Sequence, residues 1–134
     1  MMMFKKVTMI ALALLVLAPM ARADGGGQTT TREQVIGIND AYIPSGFDTG
    51  SDAFVVISGL FPNGCYRYKE ATVTHTSALV HEVKATATVS EGMCLMVLVP
   101  FSKEVQIGKL SRGEHSVRFL NGDGTYWEKK LTVE

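Results

Sequence analysis

The sequence is poor in the residues that most function classes require. Its 134 residues hold two cysteines, three histidines and one tryptophan. Cys65 and Cys94 are too far apart for C-x-x-C redox chemistry. There is no G-x-S-x-G elbow, no histidine that spacing ties to a serine or an acid, and no carboxylate pair that the pattern singles out. The expectation is a protein that is not an enzyme and carries no resident cofactor. Cations are equally sparse. Beyond Lys129-Lys130 there is no basic cluster, so nucleic acid and anionic membrane surfaces are poor partners. No apolar run approaches the ~20 residues of a membrane span, and outside the N-terminus no 3.6-residue apolar periodicity is sustained, so helix should be nearly absent.

What is present starts with an address. Residues 1–23 place Lys5 and Lys6 before an apolar run at 7–17, followed by Pro19 and an Ala21-Arg22-Ala23 site. Positive start, short apolar stretch and small residues at the end form the pattern of a cleaved secretory signal peptide. The run is too short for a retained anchor, and no nearby cysteine could accept a lipid. Cleavage after Ala23 would remove Lys5, Lys6, Arg22 and five of the seven methionines but no acidic residue. The whole chain balances 13 basic against 13 acidic residues, and the mature chain is left with a net charge of about −3. Residues 24–32, rich in Gly and Thr, read as a flexible leader, and residues 33–134 read as a single domain. The expected location is the periplasm or the extracellular space.

In an oxidising compartment a lone cysteine pair is most simply a disulfide, with two free thiols or a metal pair as the alternatives. From residue 33 onward, short runs of Val, Ile, Thr and aromatics alternate with Gly, Pro, Asn and Asp. This predicts strands at about 34–43, 53–58, 66–76, 80–89, 93–99, 104–107, 115–120 and 125–133. Phe54-Val55-Val56-Ile57 is apolar on both faces and suits a central strand. Asn121-Gly122-Asp123-Gly124 supplies the positive φ angles of a tight hairpin turn.

Register and the disulfide constrain the topology further. Pairing Val73 with Val83 and Ala71 with Ala85 puts Thr72 opposite Lys84 and Thr74 opposite Glu82, so one face is apolar and the other polar. That register requires Ser77-Ala78-Leu79 to turn the chain. In a flat meander the strand at 80–89 would hold Cys65 and Cys94 about two strand spacings apart, near 9.6 Å. A disulfide needs Cα atoms within about 7 Å. The prediction is therefore an all-β, two-sheet sandwich of about 7–8 antiparallel strands with one disulfide.

The run Leu110-Ser111-Arg112-Gly113-Glu114-His115-Ser116-Val117-Arg118-Phe119 resembles the Leu-x-x-Gly-x-Tyr-x-Val-x-Val stretch of immunoglobulin-like and fibronectin type III-like domains. His115 stands where those domains carry the tyrosine of the corner. With Gly59-Leu60-Phe61-Pro62-Asn63-Gly64-Cys65-Tyr66 and Val99-Pro100-Phe101, the chain also resembles exported bacterial domains of that fold. The resemblance implies an immunoglobulin-like architecture and export, and no activity.

Three groups of residues are candidates for function. The register sets His75 opposite His81 on the apolar-face parity, close enough for two imidazoles to share a transition-metal ion, with His115 or Met96 as a third donor. The structural alternative is a half-exposed hairpin end for His75 and His81, with His115 bonded to a backbone carbonyl. Asp40, Asp48 and Asp52 lack calcium-loop spacing and read as solvated loop acids. Phe61, Tyr66, Tyr68 and Trp127 would form a contact patch if exposed together, whereas Trp127 and one tyrosine could instead fill the core. The expected function is an exported interaction module contacting a protein or glycan through loops and aromatics. The alternatives are a proteinase inhibitor presenting Phe61-Pro62 or Asp123-Gly124, and a periplasmic metal-binding protein using His75 and His81.

Overall fold

A computed structural model describes residues 30–134. The expected signal peptide, residues 1–23, and residues 24–29 of the expected leader lie outside the described residues. Eight strands follow one another: β1 (Thr31–Ile36), β2 (Asp40–Tyr42), β3 (Ala53–Phe61), β4 (Tyr66–Ser77), β5 (Val80–Ser90), β6 (Val99–Gly108), β7 (Gly113–Leu120) and β8 (Tyr126–Val133). No helix occurs among the described residues.

Two sheets form. β5 is the spine of the larger one. Along one edge it pairs with β4, and it also pairs with β1 through residues 85–90 and with β7 through residues 80–83. β8 continues from β7. The second sheet has the order β2-β3-β6. Alternation explains why both sheets bury one face. In β5, His81, Val83, Ala85, Ala87 and Val89 point inward while Glu82, Lys84, Thr86 and Thr88 do not. In β3, Ala53, Val55, Ile57 and Phe61 are buried. With Val117, Phe119 and Leu131 they make one apolar core between the sheets. β3 is central in its sheet, as its doubly apolar run predicted.

The β4–β5 register is the predicted one: Val73↔Val83, Ala71↔Ala85, Thr72↔Lys84, Thr74↔Glu82 and His75↔His81. Only the turn differs. Ser77, not Thr76, pairs with Val80 after a shift at Thr76. A short turn without a positive-φ residue fits strand twist poorly, and a bulge restores the match; no non-glycine residue has positive φ here. The Asn121–Gly124 segment closes the β7–β8 hairpin as expected, with Gly124 at φ 85° and Asn121 N–H donating to the Thr125 carbonyl at 2.8 Å.

Three expectations are corrected. The strand predicted at 34–43 is two strands in different sheets, because the chain crosses between sheets at Gly37, Ile38 and Asn39. Trp127 Nε1–H donates to the Ile38 carbonyl and Asn39 N–H to the Ser58 carbonyl, both at 2.9 Å, which satisfies the crossing backbone. Residues 93–98 are not a strand. β6 instead runs from Val99, five residues before its predicted start, and tolerates Pro100 because it is an edge strand. The strands are also not all antiparallel: β5 and β7 pair in parallel over four residues each.

Cys65 precedes β4 in one sheet and Cys94 precedes β6 in the other. Their Cα atoms are 5.3 Å apart, joined by a disulfide. The flat meander is excluded, as the cysteine argument required.

Gly59 marks the tightest packing around β3. A Cβ there would lie 2.6 Å from Phe101 Cε1 and 2.9 Å from Asn39 Oδ1. Phe101 is held in a stack with Phe61, ring centroids 4.6 Å apart, so it cannot swing away. Gly59→Ala should therefore cost about 1–3 kcal/mol in urea unfolding at neutral pH, and an unchanged midpoint would contradict this packing.

Candidate functional site

The hairpin register and the β5–β7 seam bring all three histidines together. His75 and His81 are a cross-strand pair, and His115 opens β7 on the inward parity of Val117 and Phe119. His81 is 1% exposed and His115 0%, whereas His75 reaches solvent. The half-exposed hairpin end expected for the pair therefore fails for His81, which is buried, and only His75 keeps an exposed place there. The rings form a chain. His75 Nδ1 lies 2.6 Å from His81 Nδ1, His81 Nε2 lies 2.8 Å from His115 Nδ1, and His115 Nε2 lies 2.7 Å from the Ser111 carbonyl oxygen.

A carbonyl can only accept, and this sets the direction of every bond. His115 must donate from Nε2, leaving Nδ1 as acceptor. His81 must then donate from Nε2 and accept at Nδ1, and His75 donates from Nδ1. All three neutral tautomers follow from Ser111. The Ser111 carbonyl is bonded by an imidazole, whose second nitrogen is left to engage His81.

This geometry does not gather three ligands around one ion. The two nitrogens of His81 face different partners, so the rings run in series. Two ligands of a tetrahedral zinc ion at 2.0–2.1 Å stand about 3.3 Å apart, and the His75–His81 separation is that of a hydrogen bond. Met96 is at the other end of the hairpin, beside Cys94, with the nine residue steps of β4 from Tyr66 to His75 between them, roughly 30 Å at ~3.3 Å per residue.

Burial, together with the neighbouring His75 and His115 rings, pushes the His81 pKa down to about 4 from its ordinary 6.5. His81 is therefore neutral at pH 7. The unfolded chain takes up a proton near pH 6.5 that the folded one refuses until about pH 4. Stability is thus full above 6.5 and declines as pH falls from 6.5 to 4. A cavity of about 300 Å³, lined by His75, Ser77, Ala78, His81, Lys109, Leu110 and Ser111, opens beside the chain.

The aromatic candidates serve the core more than the surface. Phe61 is 4% exposed and stacks on Phe101 and Tyr66, so the Phe61-Pro62 turn has no free phenyl ring to present. Tyr66, Tyr68 and Trp127 are half-buried against the core. The acidic residues cap turns: Asp48 Oδ1 accepts from Gly50 N–H and Ser51 Oγ, and Asp40 Oδ1 from Ala41 N–H.

The exposed apolar surface is elsewhere, in residues 93–98 between β5 and β6. Met93, Leu95, Met96, Val97 and Leu98 are all exposed, Leu95 at 76% and Met96 at 81%. Two links hold this segment to the turn at 61–65: the Cys65–Cys94 bond, and a hydrogen bond from Gly64 N–H to the Leu95 carbonyl at 2.9 Å. The same turn borders a cavity of about 200 Å³ lined by residues 34–37, Leu60, Phe61, Pro62, Tyr66 and Gly122. A usable signal was in the sequence: Met-Cys-Leu-Met-Val-Leu has no polar alternation, although a half-buried strand needs one.

Residues 55–133 match the family described as the ORF11 beta-sandwich domain. No curated protein and no solved structure matches the chain.

Proposed function

Since this chain belongs to the ORF11 beta-sandwich domain family, whose description states an architecture and no activity, we propose that it is an exported, non-catalytic binding module. It docks a protein partner through the disulfide-held loop at 92–98. The observation that carries this reading is the run of five exposed large apolar side chains from Met93 to Leu98. Contiguous apolar surface of this kind is rare on proteins that bind nothing. The loop has no charge and no aromatic platform, which favours an apolar protein groove over a glycan. Its two methionines adapt to irregular partner surfaces. The disulfide limits the entropy that the loop would lose on docking. Export follows from the N-terminal pattern and agrees with the disulfide, and an immunoglobulin-like lineage would suit such a module.

Leu95→Asp with Met96→Asp tests the proposal. Both side chains are solvated, so the thermal midpoint should stay within the range of ordinary surface changes, about 0.5 kcal/mol. Affinity capture from the exported fraction should lose the partner retained by the unsubstituted chain. Equal recovery on both baits would sink the loop as the docking element.

A further inference from the structure

We propose that His75, His81 and His115 form an acid-released latch that fastens the tip of the β4–β5 hairpin to the corner at the start of β7. The latch is closed when the histidine chain is neutral, and it opens when a proton enters its buried part.

Burial makes the chain intolerant of such a proton, since His81 is 1% exposed and His115 0%. In the neutral chain every nitrogen of His81 and His115 already donates or accepts. The outward His75 Nε2 is the one ring nitrogen outside the series. A proton added at His81 Nδ1 or His115 Nδ1 keeps the series bonded only if the bonds reverse back to His75, whose own proton then moves to Nε2, so it is the buried charge and not a lost hydrogen bond that the fold opposes. The low affinity of His81 for a proton agrees with this.

No nearby charge would compensate. Of the residues lining the adjoining cavity, Lys109 alone is permanently charged, and it is a cation. From β5 and β7, Glu82, Glu114 and Arg118 alternate to the opposite face. There Arg118 lies near Glu82 and Glu128, and Lys130 near Glu114. On β8, the residue opposite His115 is the apolar Leu131. On β4, His75 is flanked by Thr74 and Thr76.

The seam that the latch closes is short enough to open separately. β5 and β7 share four paired positions, 80–83 with 116–119, supplemented by Ser116 N–H donating to the Leu79 carbonyl at 2.8 Å. β4–β5 and β7–β8 are long antiparallel hairpins that keep their own pairings. Protonating the latch would part the two hairpins at this end without dissolving either.

The test uses the full mature chain with its disulfide intact. At pH 7, nitrogen-15 NMR of the imidazoles should find His81 and His115 protonated on Nε2 and His75 on Nδ1. Amide exchange, corrected for intrinsic rate, should then be followed as pH falls from 6.5 to 4. Residues 80–83 and 116–119 should lose protection by roughly tenfold or more while the β3–β6 pairing keeps its own. His81→Leu, which has no proton to take up, should remove this pH dependence. A proton on His81 Nδ1, titration of His81 near 6.5 with the seam still protected, or a uniform loss of protection would each overturn the latch. If His81→Leu does not fold, the tautomer and exchange measurements on the unsubstituted chain decide the question alone.

Discussion

Replacing Cys65 and Cys94 together by serine should lower unfolding free energy by about 3–4 kcal/mol. The bond spans 29 residues, and closing a loop of that size removes about that much chain entropy from the unfolded state. Few other links tie residues 92–98 to the domain; in the backbone the hydrogen bond between Gly64 and Leu95 does so. The serine variant should therefore show two effects. Its urea midpoint should fall, and residues 92–98 should become a preferred site of limited proteolysis, because a cleavable segment must first leave the surface. A loss below about 1 kcal/mol would mean that β4 and β6 position the loop without the bond. Under the proposed docking role, partner binding should weaken as well, since docking would then have to order a loosened loop.

The second large effect is expected at Phe119. Its side chain is fully buried at the centre of the larger sheet's inner face, and its ring centroid is 4.5 Å from that of Trp127. Phe119→Ala should cost about 3–5 kcal/mol, since it removes the ring's transfer energy and leaves a cavity between two packed sheets. The neighbouring indole is the chain's one tryptophan, which supplies the readout. Urea unfolding followed by Trp127 emission should give a lower midpoint and a native spectrum shifted toward that of a solvated indole. A variant that kept both would show that Trp127 and Leu131 can close the gap, contrary to the rigid packing expected of such a core.

Much of the architecture was legible in the sequence because it rests on local periodicity. The β4–β5 register came from two-residue alternation around Val73 and Val83, where slipping one strand by one residue would expose the apolar face. The β7–β8 turn came from Asn121-Gly122-Asp123-Gly124, whose backbone preferences are local. The two-sheet arrangement came from the distance limit on Cys65–Cys94. Where two readings competed, local pattern was not enough. Residues 34–43 look like one strand, yet the chain changes sheets at Ile38 because the Trp127 indole, 89 residues away, bonds its carbonyl. Residues 93–98 look apolar enough for a strand, but no partner strand is beside them.

The sequence alone determined the all-β class, the cysteine pair and the opposition of His75 to His81. All of these depend on residue type and short spacing. Tertiary structure decided three things that spacing cannot express. It placed β5 parallel to β7, which carried His115 against His81, and it ended the histidine series on the Ser111 carbonyl, which set the direction of every proton in it. It buried Phe61 while leaving Leu95 and Met96 in solvent, moving the docking proposal from the aromatics to the loop. Each depends on which distant strand comes to lie alongside, and that is settled by how two sheets bury their apolar faces together.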